Sequence, residues 1–281
     1  MNQSVAMQVE SLHIYPIKSC AGINLSEVHF APDGHIVMDR EWAVVDPKGE
    51  VTWQGAYPRL ALVKPEYDGA TLTLATASRS AYRIPPLQEH NTCNFRIWND
   101  QAKRSEVHHG IDAGDEAAEF LREVTGTGLR LVRLSREAIQ RTSAHPIHLI
   151  SRHSLEEFNR FRQARGDEPA SMMRFRPNIV LSGGENLGAF PEEHVIQLSG
   201  ETRGGACRLE LYERCIRCIV PDVDPEIGTI KSGVLQAVAQ LSAERYPGQP
   251  PSLGVYGRAR QSGILRTGDR VMAELWFDDK R

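Results

Sequence analysis

Residues 207–218 read Cys207-Arg-Leu-Glu-Leu-Tyr-Glu-Arg-Cys-Ile-Arg-Cys218, and this stretch decides how the chain is read. Cys207, Leu209 and Leu211 alternate at period 2, the pattern of a half-buried β-strand. The strand runs into a CxxC, Cys215-Ile216-Arg217-Cys218, which is followed by Pro221-Asp222-Val223-Asp224-Pro225. Period-2 alternation recurs at Leu72/Leu74, Leu129/Leu131 and Val271/Ala273/Leu275.

Three segments show helical spacing instead. Ala117, Phe120, Leu121 and Val124 fall at i, i+3, i+4 and i+7, after Asp115 and Glu116 and before Gly126. Ser154 and Glu157 form a candidate capping box for a helix reaching Arg165 and closed by Gly166. Val234, Ala237, Val238 and Leu241 make the third stripe, ended by Pro247-Gly248. Strands dominate, and the helices do not alternate with them one for one. The chain is therefore expected to be mainly β with α (α+β): two β-barrel-like domains with a few peripheral helices. Residues 134–145 lose clear period, which places the boundary between 1–135 and 136–281.

Composition narrows the class further. The chain has 281 residues, 41% apolar and 25% charged, enough for a packed core and too ordered in composition for a disordered or fibrous protein. Lys and Arg number 33 against 36 Asp and Glu, a net charge of −3 that supplies no field for a nucleic-acid polymer. Five cysteines are too few, and odd in number, for a secreted disulfide framework. The start of the chain lacks the basic-then-apolar pattern of a signal peptide, and no run of 18 apolar residues occurs. A cytoplasmic protein with no membrane contact is the expectation.

The CxxC admits several chemistries: a redox pair, half a zinc site, or one reactive or metal-ligating thiolate with a neighbour. Proline-rich 219–225 cannot open the helix that a thioredoxin-type pair needs. A zinc site would need Cys207 or one of ten histidines to complete it. Arg214 and Arg217 would lower a thiolate's pKa, and two plain core cysteines remain the bland alternative. Elsewhere, Tyr15-Pro-Ile-Lys18-Ser19-Cys-Ala-Gly22 carries a lysine and a hydroxyl suited to phosphate but has no P-loop glycines. Asp39-Arg40-Glu41-Trp42 and Arg174-Phe-Arg176-Pro-Asn178 each put an arginine where an apolar strand begins.

Taken in order, YPIKSCAG, DREW, RFRPNIVLSG, CIRC with DVDPEIG, Leu253-Gly-Val-Tyr256 and Gly268-Asp269 resemble the MOSC family. The likeness is to members with an N-terminal MOSC β-barrel domain, such as the amidoxime-reducing components, and it runs from Val9 to Val271. It implies a molybdenum cofactor (molybdenum–molybdopterin) in a cleft between the domains, with the metal ligated by a thiolate that matches Cys218, and Cys215 as its neighbour. A soft thiolate suits such a metal. The resemblance further implies cofactor contacts from Lys18, Ser19 and Arg40 in the first domain and from Arg176, Ile216, Arg217 and Tyr256 in the second. Pyridoxal phosphate binding is one more attribute that the resemblance brings.

Two departures accompany it. Ser143-Ala144-His145-Pro146 stands where the family has an acid and then Thr-Ser-Pro, which leaves Ser143 and His145 as candidate phosphate donors. Thr52-Trp53-Gln54 has glutamine where Thr-x-Arg is common, and the loop gains a residue, so substrate preference is open. Asp224 reads as loop-shaping. No cysteine follows 218, so a C-x4-C-x2-C iron–sulfur cluster is not expected in this chain. The leading expectation is a molybdenum-dependent reductase of small N-hydroxylated substrates, fed by a separate electron-donor protein. A cofactor or sulfur carrier without turnover, and a structural β-protein with a minor CxxC, are the alternatives.

Overall fold

The structure is a computed structural model that describes residues 4–99, 102–142, 145–202, 205–231 and 233–276. Seven strands close a mixed barrel. Their spatial order is Ile179–Ser182, Ile147–Ser151, Ser252–Ala259, Gly205–Ile216, Val195–Thr202, Arg270–Leu275 and Ser4–Ile14, the last pairing back with the first. The parallel pair is Ile147–Ser151 with Ile179–Ser182, and helix Arg152–Gln163 provides the crossover that a parallel pair requires. Inward positions are apolar and sealed: Leu12, Leu149, Leu181, Leu211, Val255 and Ala273 are buried in one cluster.

The strand Ser4–Ile14 is a stave of a barrel otherwise built from residues 147–275. Glu27–Phe30 likewise pairs with Gly263–Arg266. A cut at residue 135 therefore does not follow the sheets, because the barrel keeps two open edges until the first strand is added. What stands apart is the middle of the first half. There a four-stranded sheet (Trp42–Val45, Arg130–Leu134, Arg104–Asp112, Thr92–Asn99) and a three-stranded one (Lys64–Tyr67, Leu72–Thr76, Arg79–Arg83) wrap a shared core. Trp42, Val44, Leu60, Leu74, Phe120 and Leu131 fill it.

Helix Asp115–Thr125 buries the expected stripe and stops on Gly126 at φ 76°. Helix Arg152–Gln163 starts earlier than the Ser154/Glu157 pattern suggests: Ser151 is the cap, accepting from the Ser154 backbone N–H at 3.0 Å. Ser154 is drawn away because its own hydroxyl donates to Glu192, 2.5 Å off, inside the fold. Helix Val234–Arg245 joins it on the outside of the barrel, where Phe158, Phe175 and Val238 pack together. A fourth helix, Arg136–Thr142, lies in the stretch that shows no period, since two turns carry too few apolar residues to reveal one. No helix among the described residues is long and apolar enough to cross a membrane.

Candidate functional site

The strand Ser4–Ile14 leaves the barrel through Tyr15-Pro16-Ile17 and delivers Lys18 and Ser19 to a cavity of about 300 Å³. Backbone bonds pin this exit to the other half of the site: Lys18 N–H to Trp42 O at 2.8 Å and Arg40 N–H to Tyr15 O at 2.8 Å. The Asp39 carboxylate accepts from the Tyr15 N–H at 2.7 Å and also pairs with Arg40. Facing them are the ends of the barrel strands Gly205–Ile216 and Ser252–Ala259. The cavity is lined by Lys18, Ser19, Arg40, Trp53, Gln54, His148, Phe175, Arg176, Cys215, Ile216, Arg217, Cys218, Val220 and Tyr256.

On the barrel wall, the pairing of these two strands slips between Leu211 and Glu213 and again between Arg214 and Ile216. Bulges of this kind re-aim side chains at a strand end. Here they turn Cys215 inward, only 3% exposed, while Cys218 beyond the strand is exposed. Opposite, Gly254 sits at φ 79°, and a Cβ on it would lie 2.5 Å from His148 Nε2 and 2.7 Å from Leu149 O. Glycine is thus what lets His148 come up behind the thiol. Arg217 Nη1 donates to Cys215 Sγ at 2.8 Å, and its Nη2 donates to Phe175 O at 2.9 Å. Burial pushes the Cys215 thiol up, but the Arg217 charge and the His148 and Tyr256 side chains outweigh it and bring the thiol down to about 6. Burial raises the Tyr256 phenol well above its ordinary range, so it remains a donor.

The basic wall is built on strained backbone. Five described non-glycine residues have φ in the left-handed region, and three of them, Ser19 (75°), Arg40 (55°) and Arg176 (55°), line the cavity. Such outliers persist only where surrounding contacts over-determine them. Arg176 is held by Cys20 O, which accepts from Nη1 at 2.6 Å, and by the Tyr15 ring, 4.1 Å away. Burial lowers the Arg176 guanidinium to about 10, still charged at neutral pH. Asn178, fully buried, ties the two halves together: its Nδ2 donates to His13 O at 3.1 Å, and its Oδ1 accepts from the His148 N–H at 3.1 Å.

Nine residues flagged in the sequence meet in this one cavity: Lys18, Ser19, Arg40, Arg176, Cys215, Ile216, Arg217, Cys218 and Tyr256. Ser143 lies outside the described residues. His145 does not line the cavity; it stacks on Tyr256 at 4.2 Å between ring centroids and lies 3.4 Å from the Tyr212 hydroxyl. Its part is to back Tyr256, and burial lowers its imidazole below the ordinary value. His148 and Phe175 were missed. A histidine inside the apolar strand Ile147–Ser151 was the available signal. Trp53 was passed over beside the Gln54 departure.

A second cavity of about 270 Å³ adjoins the first, sharing Gln54, Arg176 and Val220 as common wall, with Tyr15, Gly22, Met173 and Val223 beyond. Its floor is shaped by Asp224, which accepts from Arg174 Nη2 at 2.7 Å and from the Glu226 N–H at 3.0 Å. Among the described residues, no cluster of three or more His, Cys, Asp or Glu side chains could hold a metal ion. All five cysteines are free.

A closed mixed barrel with a flanking β-region and a basic, thiol-bearing cavity beside them defines the class: a mainly β protein built on a mixed barrel. The description "MOSC N-terminal beta barrel domain" matches residues 6–128 and "MOSC domain" matches residues 107–272; the chain belongs to the MOSC family. Mitochondrial amidoxime-reducing component 1 of Xenopus laevis is 30% identical over 295 residues, which cover 94% of this chain and 81% of that protein. The Mus musculus protein of the same name is 27% identical over 94% of this chain and 81% of its own length. Molybdenum cofactor sulfurase of Drosophila erecta is 28% identical over 83% of this chain but only 30% of that protein.

Proposed function

We propose that this protein is a molybdenum-cofactor-dependent oxidoreductase that reduces small N-hydroxylated compounds (amidoximes, hydroxylamines, hydroxylaminopurines) with electrons from a separate redox protein. The names of its relatives support this reading, and one observation carries it: an exposed thiol, Cys218, at the rim of a cavity walled by Lys18, Arg40, Arg176 and Arg217.

The residues suit the group. A pterin bearing a phosphate and a sulfur-held metal is anionic, and four cations surround the space. Among the described residues the buried Nε of Arg217 has no partner, a donor that a ligand would satisfy. Cys218 would supply the metal's protein ligand, a soft thiolate for a metal already bound by sulfur. Lys18, Ser19 and Arg40 would hold the cofactor from one side, Arg176, Ile216, Arg217 and Tyr256 from the other. When bound, the cofactor supplies the two-electron couple that cleavage of an N–O bond needs. The protein's own contribution is positional. Cys215 fixes Arg217 from behind, the Tyr256 hydroxyl keeps its proton, and the exposed mouth admits the water from which the amine is protonated. Five free cysteines accord with a reducing, cytoplasmic setting.

The test is elemental analysis of protein from a cofactor-competent host, together with oxidation of a reduced artificial donor by benzamidoxime. Molybdenum with substrate-dependent oxidation is the expected result. Molybdenum without turnover would mean a carrier, and zinc in its place would overturn the reading.

A further inference from the structure

The loop after Val51 is rigid before any ligand arrives. Thr52 N–H bonds Val44 O at 2.8 Å, and the N–H groups of Ala56 and Tyr57 both reach Trp53 O at 3.0 Å. This turn leaves the Trp53 side chain 42% exposed while it still lines the thiol cavity. A Cβ on Gly55 would meet the Trp53 ring at 2.4 Å and Ile219 Cγ2 at 2.9 Å. The indole thus lies back over the glycine at the cavity rim, with much of its surface still in water. Gln54 behaves oppositely. It is only 4% exposed and borders both cavities, and no group among the described residues hydrogen-bonds its carboxamide. An amide that borders a cavity and has no protein partner is completed by water or by a ligand group.

The two side chains are neutral, in a cavity that also carries Lys18, Arg40, Arg176 and Arg217. Trp53 offers a π-face for a flat ring, and Gln54 offers a donor and an acceptor side by side. We infer that Trp53 and Gln54 select the substrate, stacking a flat aromatic body and pairing with its H2N–C=N–OH group, so that aryl amidoximes are preferred over alkyl ones. The Gln54 carbonyl accepts from the amino group, and its NH2 donates to the imino nitrogen. This rests on the reductase reading for the reaction, though not for the binding.

Two measurements separate the inference from that reading. Benzamidoxime is titrated into the cofactor-loaded protein without any electron donor, with tryptophan fluorescence as readout. Quenching that is lost in Trp53→Phe, whose phenyl ring retains affinity by calorimetry, is expected. Steady-state kinetics then compare benzamidoxime with acetamidoxime. Trp53→Ala should lower the aryl-over-alkyl preference in KM about tenfold, in line with the loss of one stacking partner, while Trp53→Phe keeps most of it. Gln54→Leu should raise KM for both compounds about tenfold, with the Trp53 quench retained. If benzamidoxime quenches Trp53 but no donor is ever oxidised, the reductase reading falls and the ring site stands. Undiminished aryl preference in Trp53→Ala would overturn the inference. So would a loss of bound molybdenum in either variant, which would make the segment a cofactor contact.

Discussion

The two walls of the cleft are made differently. The barrel wall carries its chemistry on strand ends, where Cys215, His148 and Tyr256 are positioned by bulges and by a glycine that gives way. The other wall carries charge on loops, where Ser19 and Arg40 hold left-handed backbone fixed by bonds to Tyr15 and Trp42. One wall tunes a sulfur by hydrogen bonds; the other holds cations by backbone strain. Precision on the barrel side comes from regular structure, and on the loop side from contacts strong enough to hold unfavourable dihedrals.

Exchanging Cys218 for alanine tests whether the two thiols differ as the geometry says. Turnover of benzamidoxime should fall by more than about a hundredfold, beyond what loss of an outer contact costs. The circular dichroism spectrum should not change, because Cys218 is exposed. Arg217→Met attacks the barrel wall itself. It strips Cys215 of its 2.8 Å donor and should cost about 3 kcal/mol in urea unfolding, the range for breaking a buried charged pair. Gly254→Ala should cost about 3 kcal/mol as well, through a positive φ and a clash with His148; a change within error would mean that the strand relaxes there.

The Cys215 thiol adds a pH signature. Its folded-state pKa is lowered to about 6, against about 8.5 for an ordinary thiol. A depressed acid contributes stability that is fully present above the unfolded value and lost as pH falls through the folded one. The stability gap between wild type and Cys215→Ala should therefore widen from pH 6 to pH 8.5 and be small below pH 6, as measured by denaturation at each pH. Turnover should suffer less from this variant than from Cys218→Ala. The smallest effect belongs to the loop wall. Ser19→Gly relieves a left-handed residue and should raise stability by about 1 kcal/mol in urea midpoints.

Two of the seven barrel strands, Gly205–Ile216 and Arg270–Leu275, and three of the four α-helices among the described residues were legible because period-2 and period-3.6 patterns are local properties of the chain. The closing of the barrel by residues 4–14 was not, since pairing partners more than 250 positions apart leave no trace in local period. The motif residues around Lys18, Arg40, Arg176 and Cys218 were readable from a resemblance that spans the chain. What made Cys215 more than a bystander was hidden. The bulge that turns it inward and the close approach of His148 to Gly254 are properties of neighbouring strands together. Trp53 and Gln54 looked like a departure in a loop; their contrast in burial became visible only with the cavity present.

The stave formed by Ser4–Ile14 also sets an order of events. Its partner Arg270–Leu275 is synthesised more than 250 residues after it. Until that strand emerges, the barrel stays open and the loop bearing Lys18 and Ser19 has no fixed wall to face, so the cleft exists only once residues 270–275 are in place. Such far-separated pairing slows folding, and it delays the cavity until the ribosome has passed residue 275. Any bulky group that fills the cavity enters, on this account, only after residues 270–275 have been made.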